Sequence, residues 1–340
     1  MSNHTADFIR VPYQVMLETF QKILLRQGYT ESKAATCAEV FATNSLEGIY
    51  THGVNRFSRF IAYAKEGHIQ IQAEAECKSR AGCLEQWDGR LGPGPLNALK
   101  CTDRATQLAK ENGIGCIGLS NTNHWMRGGY YGWHAARAGC VFIGWTNTIG
   151  NMPAWGAVDG RVGNNPLVIA VPYQQDAIVL DMAMSQYSYG ALDLYRLKGE
   201  KLPTLGGYDA DGNLTDDANA VLSTRRVLPI GFWKGAGLSL LLDILATILS
   251  GGLSTSRITA QASEHSLSQV FFAIDISKLA NFPLIESSLE QIISDYHRSV
   301  PIEGEKNVRY PGERIAVTRE ENMKNGIPVS SKVWQEILGL

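Results

Sequence analysis

The chain has 340 residues, with 31 Lys+Arg against 33 Asp+Glu, 44% hydrophobic residues and 34 glycines. This is an ordinary globular composition, which excludes a disordered chain, collagen and a disulfide miniprotein, and the length predicts two domains or one domain with a helical appendage. A net charge of -2 leaves no excess of Lys or Arg for nucleic acid or an anionic membrane, so small neutral or anionic ligands are the partners left open.

The opening MSNHTADFIRVPYQ has no basic stretch followed by an apolar one, so no secretory signal is read and a cytoplasmic location is expected. Residues 12–48 carry two helical patterns. Tyr13, Met16, Leu17, Phe20, Ile23, Leu24 and Leu25 form the first, and Ala34, Cys37, Val40, Phe41 and Leu46 the second, with Gly28 as stop and Ser32 as N-cap. A third helix is predicted over 54–65, ending at Gly67, so the opening unit is all helical. From about residue 70, short apolar runs bounded by Gly, Pro and Asn predict strands at 115–119, 140–145, 167–171, 178–182 and 270–276. Helices are predicted between some of them, at 95–110, 130–138, 238–249 and 289–296. The fold class is α/β or α+β, built on a sheet.

The helix at 238–249 is 12 residues long and interrupted by Asp243, short of the ~20 needed to span a bilayer, and it reads as a buried core helix. Residues 197–229 read as a polar, solvated excursion. Its DADGN run resembles a calcium loop only superficially, since Ala220 stands where the terminal glutamate would be. Cys37, Cys77, Cys83, Cys101, Cys116 and Cys140 contain no CxxC pair, so neither a metal site nor a disulfide framework is expected.

Gly113-Ile-Gly115-Cys-Ile-Gly118 spells GxGxxG, but a dinucleotide fingerprint must follow a strand and open a helix. Here a helical run precedes the glycines and a strand follows them. The glycines therefore predict a helix C-cap and then a strand. Gly231-Phe-Trp233-Lys234-Gly235-Ala-Gly237 has the right order for an anion, because it runs into a helix whose first N–H groups are unpaired and Lys234 adds a charge. Trp233 can stack on a planar ring. A plain Gly-rich turn with a solvated Lys competes with this reading.

Thr51-His52-Gly53-Val54-Asn55-Arg56 places His52 and Arg56 four residues apart, on one face if the helix begins near His52. Arg56 would then fork a carboxylate while His52 donates a proton beside it. A satisfied His with a surface Arg is the bland alternative. Asn121-Thr-Asn123-His124-Trp125-Met126-Arg127-Gly128-Gly129 gathers amide, imidazole, indole and guanidinium groups at a strand end, as a hydroxyl-rich ligand requires, although a turn with a buried His fits equally. Asp181 interrupts an apolar strand and must be paired: it either caps backbone groups or meets a histidine or ligand hydroxyl.

These residues, with THGVNRF at 51–57, SNTNHWMRGGYYGW at 120–133, GNNPLVIAVP at 163–172, VLDMAMSQYSYG at 179–190, PIGFWKGAGLSLLLDILA at 229–246 and YPGER at 310–314, resemble the malate/L-lactate dehydrogenase family with a non-Rossmann nucleotide site. NHWMRGG, CVFIGWTN and MPAWG follow the branch that reduces a 2-keto sugar acid. The resemblance implies a helical N-terminal domain over 1–75 rejoined by 300–340, and a mixed-sheet domain over 76–299 with a mostly antiparallel sheet. It implies a homodimer using NAD(P)H, with NADH preferred and NADPH as the alternative. It puts the proton donor on His52 and cofactor contacts on Ala177, Ile178, Val179, Leu180, Asp181, Met182 and Ala183, on Trp233 and Lys234, and on Gly312, Glu313 and Arg314. Thr51 stands where members often carry Ser and keeps the hydroxyl.

The expected reaction is hydride transfer to a keto sugar acid, with His52 as acid, Arg56 on the carboxylate, Thr51, His124 and Arg127 on the substrate, and Asp181 tuning a histidine or a cofactor hydroxyl. Dehydrogenation of another 2-hydroxy acid (malate, lactate, ureidoglycolate), reduction of a cyclic imino acid, and non-catalytic sugar-acid binding are the rivals. Retention of His52 and the Trp233-Lys234 loop argues against the last.

Overall fold

A computed structural model describes residues 8–340, so the first half of the stretch read for a leader lies outside the described residues. The first half of the chain runs β1 (Phe8–Val11), α1 (Tyr13–Arg26), α2 (Glu31–Leu46), a 3-10 turn (Tyr50–His52), α3 (Val54–Lys65), β2 (Glu76–Ala81), β3 (Leu84–Asp88), α4 (Gly94–Asn112), β4 (Ile114–Thr122), α5 (Gly128–Arg137), β5 (Cys140–Thr146), β6 (Met152–Pro153), β7 (Gly160–Val162), β8 (Leu167–Tyr173) and β9 (Asp176–Met182). The second half runs α6 (Tyr189–Lys198), β10 (Gly207–Tyr208), β11 (Leu214–Thr215), α7 (Ala218–Thr224), α8 (Trp233–Ser250), α9 (Thr255–Thr259), β12 (Leu267–Asp275), α10 (Phe282–His297), α11 (Glu313–Asn325), β13 (Ile327–Ser330) and α12 (Ser331–Leu338).

Seven strands form the central sheet in the order β2-β3-β4-β12-β5-β8-β9, and all neighbours are antiparallel except β3 and β4. Helices cover both faces. Cys101, Ala105 and Leu108 of α4 and Ala135 and Ala136 of α5 share one core with Ile117, Phe142 and Val168 of the sheet. Leu242 and Ala246 of α8 share the other with Trp145 and Val270. The GxGxxG glycines serve this layering. Gly113 is the left-handed C-cap of α4 at φ +91° and β4 follows, as the order of segments predicts. A Cβ on Gly115 would lie 2.2 Å from the Ala105 carbonyl of α4, and one on Gly118 would lie 2.1 Å from the Leu249 carbonyl of α8. The glycines let a helix approach each face of the strand.

The third core is helical: Met16, Phe20, Phe41, Phe57 and Ile61 from α1–α3 pack with Ile327, Val329, Trp334 and Ile337 from the end of the chain. β13 pairs antiparallel with β1, closing this layer. Three local expectations change. α2 begins at Glu31 under a Thr30 N-cap that accepts from the Lys33 N–H, not under Ser32. The stretch expected to be all loop contains α7 and the small β10–β11 hairpin, whose turn is closed by Asp209 accepting from the Asn213 N–H at 2.8 Å. α8 runs 18 residues rather than 12 and is buried on one face only; it is long and apolar enough to cross a membrane by length and composition, and it lies against the sheet.

Candidate active site

His52 ends the 3-10 turn between α2 and α3. Gly53 then separates it from α3, so His52 and Arg56 do not lie on one continuous helix as the spacing predicts. A Cβ on Gly53 would lie 2.2 Å from Ser45 Oγ, which accepts from the Val54 N–H and donates to the Phe41 carbonyl. Ser45 thus starts α3 and only glycine fits beneath it. Asn44 donates to the His52 carbonyl at 3.0 Å, and Thr51 Oγ1 lies 3.1 Å from His52 Nδ1. Thr51 in turn packs on Gly190 at the start of α6, where a Cβ would stand 2.4 Å from its methyl group.

His124 enters from the loop after β4 and stacks on His52, with ring centroids 5.7 Å apart. Two residues in the left-handed region shape the way out of β4, Asn121 near the strand's end at φ +52° and Met126 in the loop at φ +68°, the kind of local strain that the surrounding packing must hold in place. The Met126 N–H donates to His124 Nδ1, so the neutral ring carries its proton on Nε2. Burial, then the Arg56 and Arg127 charges, push His52 down to about 4; burial and the neighbouring cations hold His124 well below its ordinary value. Both rings are neutral at pH 7 in the free protein. Arg56 reaches the same place from α3, its guanidinium 4.0 Å from Glu264.

Arg127 is placed elsewhere. It is 4% exposed, donates to Glu47 in a short ion pair, lies 3.9 Å from Asp181 and covers the Trp133 ring at 4.6 Å. Glu47 is also held by Arg319 at 2.9 Å. With its guanidinium committed to this cluster, Arg127 is not free for ligand hydroxyls as expected from sequence. Asp181 accepts from the Gly129 N–H at 2.8 Å, capping the start of α5, and among the described residues no hydrogen bond or ion pair joins it to His52 or His124. Of the two readings offered for it, backbone capping is the one the contacts carry. The packing around it raises its pKa even though a quarter of the side chain is accessible, with Arg127 and the Gly129 N–H opposing that rise.

The segments expected to meet a nicotinamide cofactor converge along β9, an edge strand of the sheet. Ala177, Ile178, Val179, Leu180, Asp181 and Met182 lie in β9 and Ala183 follows it. The Val179 N–H donates to the Pro311 carbonyl at 3.1 Å, and Gly312, at φ +90°, passes so close that a Cβ would lie 3.1 Å from the Val179 carbonyl. Glu313 opens α11 and accepts from the Tyr310 N–H, while Arg314 is exposed. On the other side Met184 accepts from the Ile230 N–H at 2.8 Å, which brings the Trp233-Lys234 loop to the end of β9. Phe232 at φ +60° turns the chain into α8, whose N-terminus has no side-chain cap. Lys234 has no ion pair or side-chain hydrogen bond among the described residues, and the Trp233 indole is 64% exposed. An uncapped helix N-terminus, a free cation and an open aromatic ring fit a dinucleotide's phosphates and planar rings.

The family model described as malate/L-lactate dehydrogenase matches residues 11–338. The chain belongs to the malate/L-lactate dehydrogenase family. It is similar to the 2,3-diketo-L-gulonate reductase of Escherichia fergusonii, 42% identical over 98% of this chain and 100% of that one. Its fold is that of the malate dehydrogenase of Entamoeba histolytica (TM-score 0.91, 22% identity, 97% of this chain and 96% of that one) and of the malate dehydrogenase of Pyrococcus horikoshii (TM-score 0.88, 27% identity, 98% and 96%). As a member of this dehydrogenase family, the chain is an oxidoreductase that acts on a small molecule with a nicotinamide cofactor. Sequence reasoning missed Glu47 and Glu264, which carry no motif, and gave no role to Gly190 at the end of the 179–190 block; only the fold brings them to Arg127, Arg56 and Thr51.

Proposed function

We propose that the chain reduces 2,3-diketo-L-gulonate or a closely similar 2-keto sugar acid with NADH, in the cytoplasm, as a homodimer. The observation that carries this reading is the stacked His52–His124 pair beside the Arg56 guanidinium, at the meeting of the helical layer and the sheet. The full-length likeness to a 2,3-diketo-L-gulonate reductase supplies the substrate name. When bound, the nicotinamide supplies a hydride to the substrate carbonyl carbon. His52, once protonated, gives its proton to the carbonyl oxygen, and Arg56 holds the carboxylate in a bidentate fork. His52 is neutral in the free protein partly because Arg56 repels its charged form. A substrate carboxylate on Arg56 offsets that repulsion, so binding the anion favours loading the acid. The ring held with a proton on Nε2, His124, donates to a neighbouring substrate oxygen.

The cofactor reading rests on the free Lys234, the open Trp233 ring and the Gly312 approach to β9. The dimer rests on the apolar outer face of α8, where Leu241 and Ile248 are 55% and 64% exposed. The deciding experiment measures kcat/KM for 2,3-diketogulonate, pyruvate and oxaloacetate, each with NADH and NADPH. Diketogulonate with NADH is expected to lead by at least about 10²-fold. Equal or better use of oxaloacetate or pyruvate would replace the sugar-acid reading with a malate- or lactate-type one.

A further inference from the structure

Beside Arg56 and His124 the structure holds a small cavity of about 20 Å³, lined by Arg56, Arg59, Tyr63, Asn123, His124 and Glu264 over an apolar floor. Space of this size takes one water-sized group, which is also the size of one hydroxyl. Two acceptors in its wall lack good partners. Asn123 is 2% exposed, and its Oδ1 is buried with no hydrogen bond among the described residues, while its amide nitrogen is fully used on the carbonyls of His68, Leu91 and Gly92. The Glu264 side chain is 12% exposed, yet its oxygens have only long contacts, 4.0 Å to Arg56 and 3.4 Å to the Ile149 N–H.

The backbone around Glu264 is nonetheless fixed. Ser263 Oγ lies 3.1 Å from His68 Nε2, the His265 ring stacks on His68 at 5.4 Å, and Ser266, at φ +57°, donates to Asn121 Oδ1 at 3.2 Å. A carboxylate that is mostly buried, rigidly carried and weakly partnered is costly in the empty protein, and a donor arriving with a ligand removes that cost. Arg56 and Arg59 against Glu264 leave the surroundings with a net positive charge, which suits an acid whose carboxylate lies outside the cavity on Arg56. The acceptors suit one hydroxyl farther along its chain.

We infer that Glu264 is a specificity-determining residue: its carboxylate accepts the hydrogen bond of a substrate hydroxyl distal to the reacting carbonyl, in a wall it shares with the unpaired Asn123 Oδ1, selecting hydroxylated 2-keto acids over their deoxy analogues. This rests on the sugar-acid reading above and replaces Arg127, which is committed to Glu47, as the group that reads the tail.

The test compares the wild-type enzyme with Glu264→Gln and Glu264→Ala, under saturating NADH, on 2,3-diketogulonate and on 2-keto acids of matched length with and without distal hydroxyls. Wild type is expected to prefer each hydroxylated acid. Glu264→Ala is expected to lower kcat/KM for hydroxylated acids about 10- to 100-fold, chiefly through KM, and to leave deoxy acids within about threefold. Glu264→Gln, which keeps one acceptor oxygen, falls between. A wild-type preference that survives both substitutions overturns the role of Glu264 while leaving the sugar-acid reading standing. Equal losses on both acid types make Glu264 a support for the Arg56 clamp, and equal gains make it a stand-in for the substrate carboxylate; either overturns the inference. A wild type with no preference for hydroxyls overturns the sugar-acid reading and the inference together.

Discussion

His52 has two loads placed on it, burial and the positive charges of Arg56 and Arg127, and both favour the neutral ring. Reduction needs the protonated ring and oxidation needs the neutral one. With the free-enzyme value at about 4, kcat/KM for keto-acid reduction is expected to fall about tenfold per unit as pH rises above that value, while oxidation of the corresponding hydroxy acid is flat over the same range. Initial rates measured in both directions across pH check this, and a reduction profile flat to pH 8 would remove His52 as the acid. The same depression links to stability. Between about 6.5 and about 4 the unfolded chain takes up a proton at this position that the folded one refuses, so the His52 contribution is present above that window and lost as pH falls through it. His52→Asn is expected to leave NADH affinity within about twofold and to cut turnover by a factor of about 10² to 10⁴. Turnover within a few-fold of wild type would make the residue structural. His52, Arg56 and His124 were legible in the sequence because reactive types clustered at predicted element ends. Arg127 was misplaced because a guanidinium three residues from a histidine says nothing of a carboxylate 80 positions away, and Glu47 is what claims it.

At the scale of elements, long periodic segments read well: α3 matches its predicted span, and the apolar runs at 140–145 and 167–171 fall inside β5 and β8. β5 and β12 read clearly because neither face carries an exposed residue. α7 escaped because seven residues with only Ala218 and Val221 buried carry too little periodicity, and β1 and β13 escaped because each is a four-residue strand stabilised by a partner more than 300 positions away. The order of glycines and helix was more informative than their spacing. It set aside Gly113–Gly118 and points to the loop before α8, where the helix N-terminus has no side-chain cap and Lys234 has no ion pair or side-chain hydrogen bond among the described residues. Lys234→Ala removes a cation from that N-terminus without touching the core. A charge-assisted hydrogen bond contributes roughly 1.5 to 3 kcal/mol, so the Kd for NADH is expected to rise by about one to two decades while the substrate KM changes little. Fluorescence titration reads the affinity directly, and an unchanged Kd would place the phosphates away from α8.

Across the whole molecule, one buried charge cluster ties distant parts of the chain together. Glu47 at the end of α2 holds Arg127 from the β4–α5 loop and Arg319 from α11, and Arg127 faces Asp181 on β9. The helical layer that carries His52 is thereby fixed against the strand proposed to carry the cofactor, which is the relation hydride transfer depends on. α8 presents a different whole-molecule feature. Its inner residues Ala236, Ser239, Leu242 and Ala246 fill the sheet core, while Leu241, Ile244, Leu245 and Ile248, spaced three and four apart, form an apolar outer stripe. Leu and Ile side chains contribute roughly 1.5 to 3 kcal/mol each when fully buried, so four of them on each of two copies supply the apolar centre that a stable interface of about 800 Å² per partner requires. A single chain of 37.2 kDa is therefore expected to run in solution at about twice that mass. Leu241→Glu combined with Ile248→Glu places a charge at each end of the stripe, where a partner would have to desolvate it, and leaves the inner face unchanged. Light scattering after size exclusion is expected to show the wild type as a dimer and the double variant as a monomer with unaltered secondary structure by circular dichroism. A monomeric wild type, or a double variant that still dimerises, would move the subunit contact away from α8.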